Sequence, residues 1–307
     1  MKYIELENYL INKKEKLQLY KEKALCFFLF LYYNIAEWGV IMEKYDVKFK
    51  KKFGQNFLKD INIVKKIVNT AEIDEDSLVI EVGPGGAIMT RELASVAKQV
   101  VAYEIDVDLQ DELSKRLSEC TNVDVIFQDF LTSNLKEDIA KYEYKNIYFV
   151  SNVPYYITTP ILMKLIDSGL SFKKIVMMVQ KEVGDRFTTK CGNKEYGSIT
   201  VLLNYFYNVK KEFYVSRKQF VPEPNVDSVI VSFTEKKDRL AVKDFKFFER
   251  LVRDSFQFKR KTLRNNLKAY DLEKIEEVLK TYNLDLNVRA EALDVSIFVD
   301  IANYLKK

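Results

Sequence analysis

The stretch that most constrains this chain is a strand–turn–helix unit near its first quarter. An apolar run, Ser77-Leu78-Val79-Ile80-Glu81-Val82, leads directly into Gly83-Pro84-Gly85-Gly86-Ala87, and helical character follows from about Ile88 to Ala97. Consecutive apolar positions bounded by a glycine turn fit a strand buried on both faces, the signature of a parallel sheet covered by helices on each side. The glycines let the backbone approach a ligand closely where the next helix begins. A second strand, Val100-Val101-Ala102-Tyr103-Glu104-Ile105-Asp106, then ends in acid. A carboxylate about twenty residues past such glycines can accept both hydroxyls of a ribose. No Lys or Arg lies between Gly83 and Thr90, which disfavours a phosphate-rich ligand. Loop and acid together point to an adenosine-type cofactor, although a glycine-rich turn by itself is shared by many nucleotide binders.

Two more strand ends carry polar groups. Val123–Phe127 runs into Gln128-Asp129-Phe130, where Asp129 could accept the amino group of an adenine and Phe130 could lie on its ring. Ile147–Val150 leads to Asn152-Val153-Pro154-Tyr155-Tyr156, with a helix from about Thr158. Asn supplies an acceptor oxygen and two donors, Pro fixes the backbone, and Tyr offers a flat face. Such a loop can hold a planar ring that carries an amino group; the bland alternative is a proline turn with two half-buried tyrosines. Upstream, the amides Gln55 and Asn56 follow a basic run and precede a helix near Ile63, capped by Asp60 or Asn62, and could donate to a cofactor's carboxylate or ring edge. Polar groups at four successive strand ends are what a ligand crevice in an open α/β sheet requires. Further strands are expected at 174–179, 199–206 and 226–233, the last two as an antiparallel hairpin at the sheet edge. The loop Phe220-Val221-Pro222-Glu223-Pro224 between them either aims Phe220 at a target ring or buries it as a core plug.

Composition excludes several chemistries. The chain has no histidine, which removes Ser-His-Asp and Cys-His catalysis and the commonest metal ligand. Cys26, Cys120 and Cys191 are scattered, which suits reduced thiols in a cytoplasmic protein and provides no zinc spacing; no metal is expected. Net charge is only +4, but residues 236–268 hold twelve Lys/Arg against four Asp/Glu, a local balance of +8. The densest part, Phe258-Lys259-Arg260-Lys261-Thr262-Leu263-Arg264-Asn265-Asn266, reads as an amphipathic helix turning Lys259, Arg260, Lys261 and Arg264 toward RNA phosphates. Three segments result: an N-terminal extension at 1–41, a catalytic domain at 42–235, and a helical RNA-binding domain at 236–307. In the extension a lysine-rich stretch leads into an apolar run at 24–33 that is shorter than the ~20 residues of a membrane span. An appended helix and a weak anchor are alternatives; the expectation is upstream sequence ahead of a natural start near Met42.

These motifs, in this order, resemble the rRNA adenine N6-dimethyltransferases of the KsgA/RsmA type. The resemblance covers about residues 47–305. It rests on Lys52-Phe53-Gly54-Gln55-Asn56-Phe57-Leu58, Glu81-Val82-Gly83-Pro84-Gly85, Glu104-Ile105-Asp106 and Asn152-Val153-Pro154-Tyr155-Tyr156, and continues through Gln180-Lys181-Glu182-Val183, Val226-Asp227-Ser228, Lys261-Thr262-Leu263-Arg264-Asn265-Asn266 and Arg289-Ala290-Glu291. It implies a Rossmann-like class I methyltransferase fold of the α/β class with a small all-α C-terminal domain, and S-adenosylmethionine as cofactor. By position, Asn56 and Leu58 line the cofactor pocket and Gly83 lies against its amino-acid portion. Glu104 takes the ribose hydroxyls, Asp129 the adenine, and Asn152 the methyl-transfer end. Asn152 and the Pro154 carbonyl would hold the target amino group, with Tyr155 on one face of the base and Phe220 on the other. The implied substrate is a pair of adjacent adenosines in the 3′-terminal hairpin of small-subunit rRNA, each dimethylated within an assembling subunit by a monomeric enzyme with no membrane role. Alternatives are a large-subunit rRNA methyltransferase conferring macrolide resistance and a non-catalytic assembly factor. Two positions depart from the family pattern: Ala87 stands where a glycine is usual, and Gln128 replaces the glycine that commonly precedes the acid.

Overall fold

The computed structural model describes residues 57–306. Gln55, Asn56 and the whole of the 1–41 extension lie outside the described residues. The first elements are a short strand β1 (Phe57–Leu58) and helix α1 (Ile61–Ala71), which Asp60 caps by accepting from the Asn62 amide at 2.9 Å.

The central sheet is assembled from three strand–helix repeats. They are β2 (Ser77–Val82) with α2 (Ile88–Ala94), β3 (Gln99–Glu104) with α3 (Gln110–Arg116), and β4 (Val123–Phe127) with α4 (Leu135–Ile139). After these come β5 (Asn146–Ser151), α5 (Thr158–Asp167), β6 (Phe172–Gln180), α6 (Lys181–Phe187), α7 (Ser198–Phe206), β7 (Tyr207–Val215), the short β8 (Phe220–Val221) and β9 (Ser228–Glu235). Seven strands form one sheet in the order β4-β3-β2-β5-β6-β9-β7. The five strands from β4 to β6 are parallel, while β9 pairs antiparallel with both β6 and β7. From β2 the chain proceeds outward through β3 and β4, then crosses back to β5 and outward through β6. The order therefore reverses between β2 and β5, and at that point the loops after the two strands diverge and leave a crevice.

Side-chain alternation builds a core on each face of this sheet. Leu78, Ile80, Ile147 and Phe149 point into one apolar cluster, shared with α5. Val79, Tyr148 and Val150 point into the other, shared with α1 and α2. Each fully buried aliphatic or aromatic side chain contributes roughly 1.5–3 kcal/mol, so both faces hold β2 and β5 in fixed register. A third cluster binds α7 to the helices that follow: α8 (Phe245–Ser255), α9 (Leu263–Asn266), α10 (Leu272–Thr281) and α11 (Val295–Leu305). Asp244, Asp271 and Asp294 cap α8, α10 and α11.

Two expectations are corrected here. The run at 199–206 is a helix, not a strand. Its Leu203 packs into the sheet's core while Val201 and Leu202 pack into the helical cluster, so no polar face marks the helical period. The edge hairpin exists, but its strands are Tyr207–Val215 and Ser228–Glu235. Nor is the basic run at 258–266 a continuous helix. Helix α8 stops at Ser255, a turn follows, and only Leu263–Asn266 is helical. The amides of Leu263 and Arg264 bond to Val288 and Leu286 at 2.8 and 3.0 Å instead of to a preceding turn.

Candidate active site

The carboxyl ends of β2, β3 and β5 are fastened to each other through short polar contacts. After β2 the chain turns with Gly83 at φ +75° and Gly85 at φ +50°, a left-handed path that glycine follows without steric cost. The Gly83 amide donates to the Tyr103 carbonyl at 2.8 Å, and the Gly85 amide donates to Glu104 Oε2 at 3.3 Å. From β5, Ser151 Oγ donates to the Val82 carbonyl at 2.6 Å and accepts from the Val82 amide at 3.3 Å. Ser151 thus sets the spacing between the glycine turn and the Asn152 loop, one residue away from each.

Three acids crowd this end of the sheet. Glu104, the last residue of β3, is 3% exposed, and its Oε1 accepts from the Asp106 amide at 3.0 Å. Burial raises its pKa, with the amides of Asp106 and Gly85 opposing and the Asp106 charge adding to the rise. Asp106 is itself buried and caps the turn after β3 by accepting from the Asp108 amide. Glu81 on β2 is 1% exposed, and burial pushes its pKa up to about 8, the charge on Glu104 adding to the rise and the nearby Thr90 hydroxyl lowering it. Neither Glu81 Oε2 nor Thr90 Oγ1 completes a hydrogen bond. Ala87 occupies the left-handed region at φ 60° and begins α2. Its methyl is fully buried, so it is packed in protein and does not narrow an open space.

Asp129 follows β4, is half-buried, and turns one oxygen back to accept from the Leu131 amide at 2.9 Å, leaving Oδ2 available. Phe130 behind it does not lie over the site. Its ring is 3% exposed and packs edge-on to Tyr103 at 5.2 Å, so the expectation that it covers a bound ring is withdrawn.

Past β5, Asn152 and Pro154 are half-buried, Val153 anchors the loop in the core, and Tyr155–Ile157 forms a single tight turn leading into α5. The Pro154 carbonyl accepts from the Ile157 amide at 3.2 Å, which leaves one lone pair. The Tyr155 hydroxyl meets Ser228 Oγ at 2.7 Å, which fixes the plane of the ring. Ser228 is fully buried at the start of β9, and its neighbour Asp227 accepts from the Arg217 amide at 2.9 Å. Leu58 and Phe220 belong to a different layer. They face each other across the β1–β8 pair, inside the apolar cluster against α1 and α2. At 1% exposure Phe220 is the core plug, and its stacking on a substrate ring is withdrawn.

Sequence reasoning found Gly83, Glu104, Asp129, Asn152, Pro154 and Tyr155 at strand ends, and missed the residues that tie them together. Ser151 immediately precedes the Asn loop and Ser228 opens a strand; a polar residue at each position was the available signal. Lys259, Arg260, Lys261 and Arg264 are all exposed. Among the described residues no cluster of His, Cys, Asp or Glu could hold a metal, and no helix is long and apolar enough to cross a membrane. Cys120 and Cys191 are free thiols. A separate cleft of about 730 Å³, lined by Tyr196, Asn204, Lys236, Arg239 and Asp294 among others, shares no residue with the strand ends.

A mainly parallel sheet with an antiparallel edge hairpin, a glycine turn after its first long strand and an acid ending the next define a class I S-adenosylmethionine-dependent methyltransferase. The family model for ribosomal RNA adenine dimethylase matches residues 46–307, and the chain belongs to that family. The ribosomal RNA small subunit methyltransferase A of Streptococcus gordonii is 46% identical over 287 residues, covering 89% of this chain and 98% of the relative. That of Ligilactobacillus salivarius is 44% identical over 283 residues, covering 89% and 96%. Among solved structures, a dimethyladenosine transferase from Plasmodium falciparum superposes with a TM-score of 0.68 at 28% identity, covering 80% of this chain and 95% of that one. The 23S rRNA methyltransferase ErmE superposes at 0.63 and 26%, covering 82% and 100%.

The residues present fit S-adenosylmethionine. The space where a side chain on Gly83 would lie is open for 4 Å, so the backbone there can be approached closely. The donors and acceptors around it are carboxylates and amides, suited to hydroxyl, amino and cationic groups.

Proposed function

We propose that this enzyme dimethylates N6 of two adjacent adenosines in the 3′-terminal hairpin of small-subunit rRNA, working as a cytoplasmic monomer on an assembling subunit. The observation that carries the reading is the Asn152–Tyr155 loop, seated at the switch point of the sheet and pinned there by Ser151 and Ser228. Gly83, Glu104 and Asp129 would hold the cofactor; Leu58 supports the site only from the apolar layer behind it. S-adenosylmethionine supplies an electrophilic methyl on a sulfonium.

The protein's task is to orient a weak nucleophile, because the exocyclic nitrogen's lone pair is delocalised into the ring. Asn152 Oδ1 and the remaining lone pair of the Pro154 carbonyl accept the two amino hydrogens and favour a tetrahedral nitrogen. Tyr155 stacks on the base, and its Ser228 contact stops the ring from rotating away. Most of the rate gain would come from orientation rather than from acid–base catalysis, and the absence of histidine from the chain is consistent with that. The exposed cations Lys259, Arg260, Lys261 and Arg264 of the helical segment 236–307 would neutralise RNA phosphates. ErmE, at 26% identity, acts on 23S rRNA, but the relatives at 44–46% identity are small-subunit methyltransferases, so methylation of large-subunit rRNA is the disfavoured alternative. Primer extension on both rRNAs after incubation with immature subunits decides between them: stops at two adjacent adenosines near the small-subunit 3′ end are expected, and stops confined to large-subunit rRNA overturn the proposal.

A further inference from the structure

Among the described residues Phe258 is the one phenylalanine classed with the exposed large apolar side chains, at 56% exposure. Two residues earlier, Phe256 packs against Tyr196 and Phe298 with ring centroids 6.2 and 5.9 Å apart. The chain therefore packs one ring, half-buried, and displays the next, within a turn that it holds firmly. Asn266, only 8% exposed, grips the backbone of Phe258 on both sides: its Oδ1 accepts from the Phe258 amide at 3.2 Å, and its Nδ2 donates to the Phe258 carbonyl at 3.3 Å. The same Nδ2 donates to the Ser255 carbonyl at 2.7 Å, and the Lys261 amide donates to the Phe258 carbonyl at 2.8 Å. A ring exposed on such a rigid turn costs solvation without aiding the fold, but costs a ligand little ordering entropy.

The setting of the ring identifies the ligand. Lys259, Arg260, Lys261 and Arg264 follow it within six residues, all exposed and none with an acidic partner among the described residues. Nearby acids are engaged elsewhere: Glu249 pairs with Arg253, and Asp254 accepts from the Tyr270 hydroxyl at 2.5 Å. An exposed aromatic face followed directly by exposed, unpaired cations suits an unpaired base and the phosphates next to it. We propose that Phe258 stacks on an unpaired base of the rRNA while the four cations hold the flanking phosphates, so that the turn recognises a single-stranded or bulged nucleotide away from the methylated one. This rests on the reading of the protein as an rRNA methyltransferase.

The test compares wild type with Phe258→Ala, Phe258→Leu and Phe258→Trp, each binding both immature small subunits and protein-free small-subunit rRNA across a salt series. Phe258→Ala is expected to bind about 5- to 150-fold more weakly to both, the range for loss of one base–aromatic stack. Phe258→Trp should retain affinity and Phe258→Leu should not, because Leu keeps apolar bulk without a π face. The slope of log affinity against log salt should be unchanged in Phe258→Ala, whereas Lys259→Ala should reduce it by roughly 0.7–0.9. In methyl transfer, Phe258→Ala should raise KM and leave kcat unchanged. Equal rRNA affinity for wild type and Phe258→Ala overturns the proposal. A loss on intact subunits without a loss on protein-free rRNA also overturns it, pointing instead to a ribosomal protein as the contact. Wild type that methylates no small-subunit rRNA would refute the function itself, a distinct result from either.

Discussion

Glu81 is the residue whose replacement most directly tests the electrostatics of this site. Its carboxyl is buried beneath the glycine turn with one oxygen unpaired, and burial lifts its pKa from 4.5 to about 8. Below pH 4.5 the side chain is protonated in both the native and the unfolded chain, and its contribution to stability is fully present. As pH rises, the unfolded chain loses this proton first while the native state keeps it, so stability falls until the native group also titrates near pH 8. The separation of the two pKa values corresponds to about 5 kcal/mol in full and about 3 kcal/mol at pH 7. Glu81→Gln keeps the shape and removes the titration. Its amide adds donors to a buried site, a constant penalty of about 1–3 kcal/mol that does not vary with pH. Urea unfolding without cofactor from pH 4 to 9 should therefore show the variant less stable than wild type at the acid end and more stable at the alkaline end, the difference shifting by several kcal/mol between them. Glu104, also raised by burial, remains in both proteins and leaves a residual slope in each. Parallel stability curves for the two proteins would refute the reasoning.

Asn152→Ala should bind S-adenosylmethionine normally by calorimetry yet lose at least about 100-fold in turnover, as expected for deleting one preorganised polar contact at a reacting centre; near-normal methylation would defeat the assigned role. Phe220→Ala should cost about 3–5 kcal/mol in unfolding free energy, because the fully buried ring would leave a cavity beneath the β1–β8 pair. An unchanged Tm with a selective loss of turnover would instead restore Phe220 to the substrate.

The parallel strands of the sheet were legible because both of its faces are covered. Ser77–Val82 and Ile147–Val150 carry apolar side chains at consecutive positions, and each run ends at glycine or a polar loop, so their boundaries were marked on both sides. The helix Ser198–Phe206 defeated the same reasoning for the same cause: burial by two different cores also yields a continuous apolar run, and Ile, Thr, Val and Tyr read as strand. In the basic segment, local spacing suggested a helix, but the side chain of Asn266 and the carbonyls of Leu286 and Val288 take the backbone groups that a helix would need. Those partners are remote in sequence or hidden in one side chain's conformation. Phe220 was undecidable for a similar reason, since its burial depends on pairing with Leu58 far upstream.

The distribution of charge suits the proposed function in a chain whose net charge is only +4. Glu104 and Asp106 gather at the strand ends, where acidic groups would suit a cationic cofactor and hydroxyl groups and disfavour phosphate, while Glu81 beside them keeps its proton up to about pH 8. Four exposed cations without an ion pair among the described residues lie on the Phe258 turn and α9. Under the proposed function, an RNA strand would be drawn to the helical segment by its backbone, while the crevice would take the base itself. In that reading, specificity for an amino-bearing ring would fall to the Asn152–Tyr155 loop, where a keto group facing the Pro154 carbonyl would lose a hydrogen bond, a penalty of about 1–3 kcal/mol. The proposed function thus assigns attraction and selection to separate groups of residues. Changes in the basic turn should therefore alter affinity across all RNA sequences, and changes in the Asn152 loop should alter which base reacts.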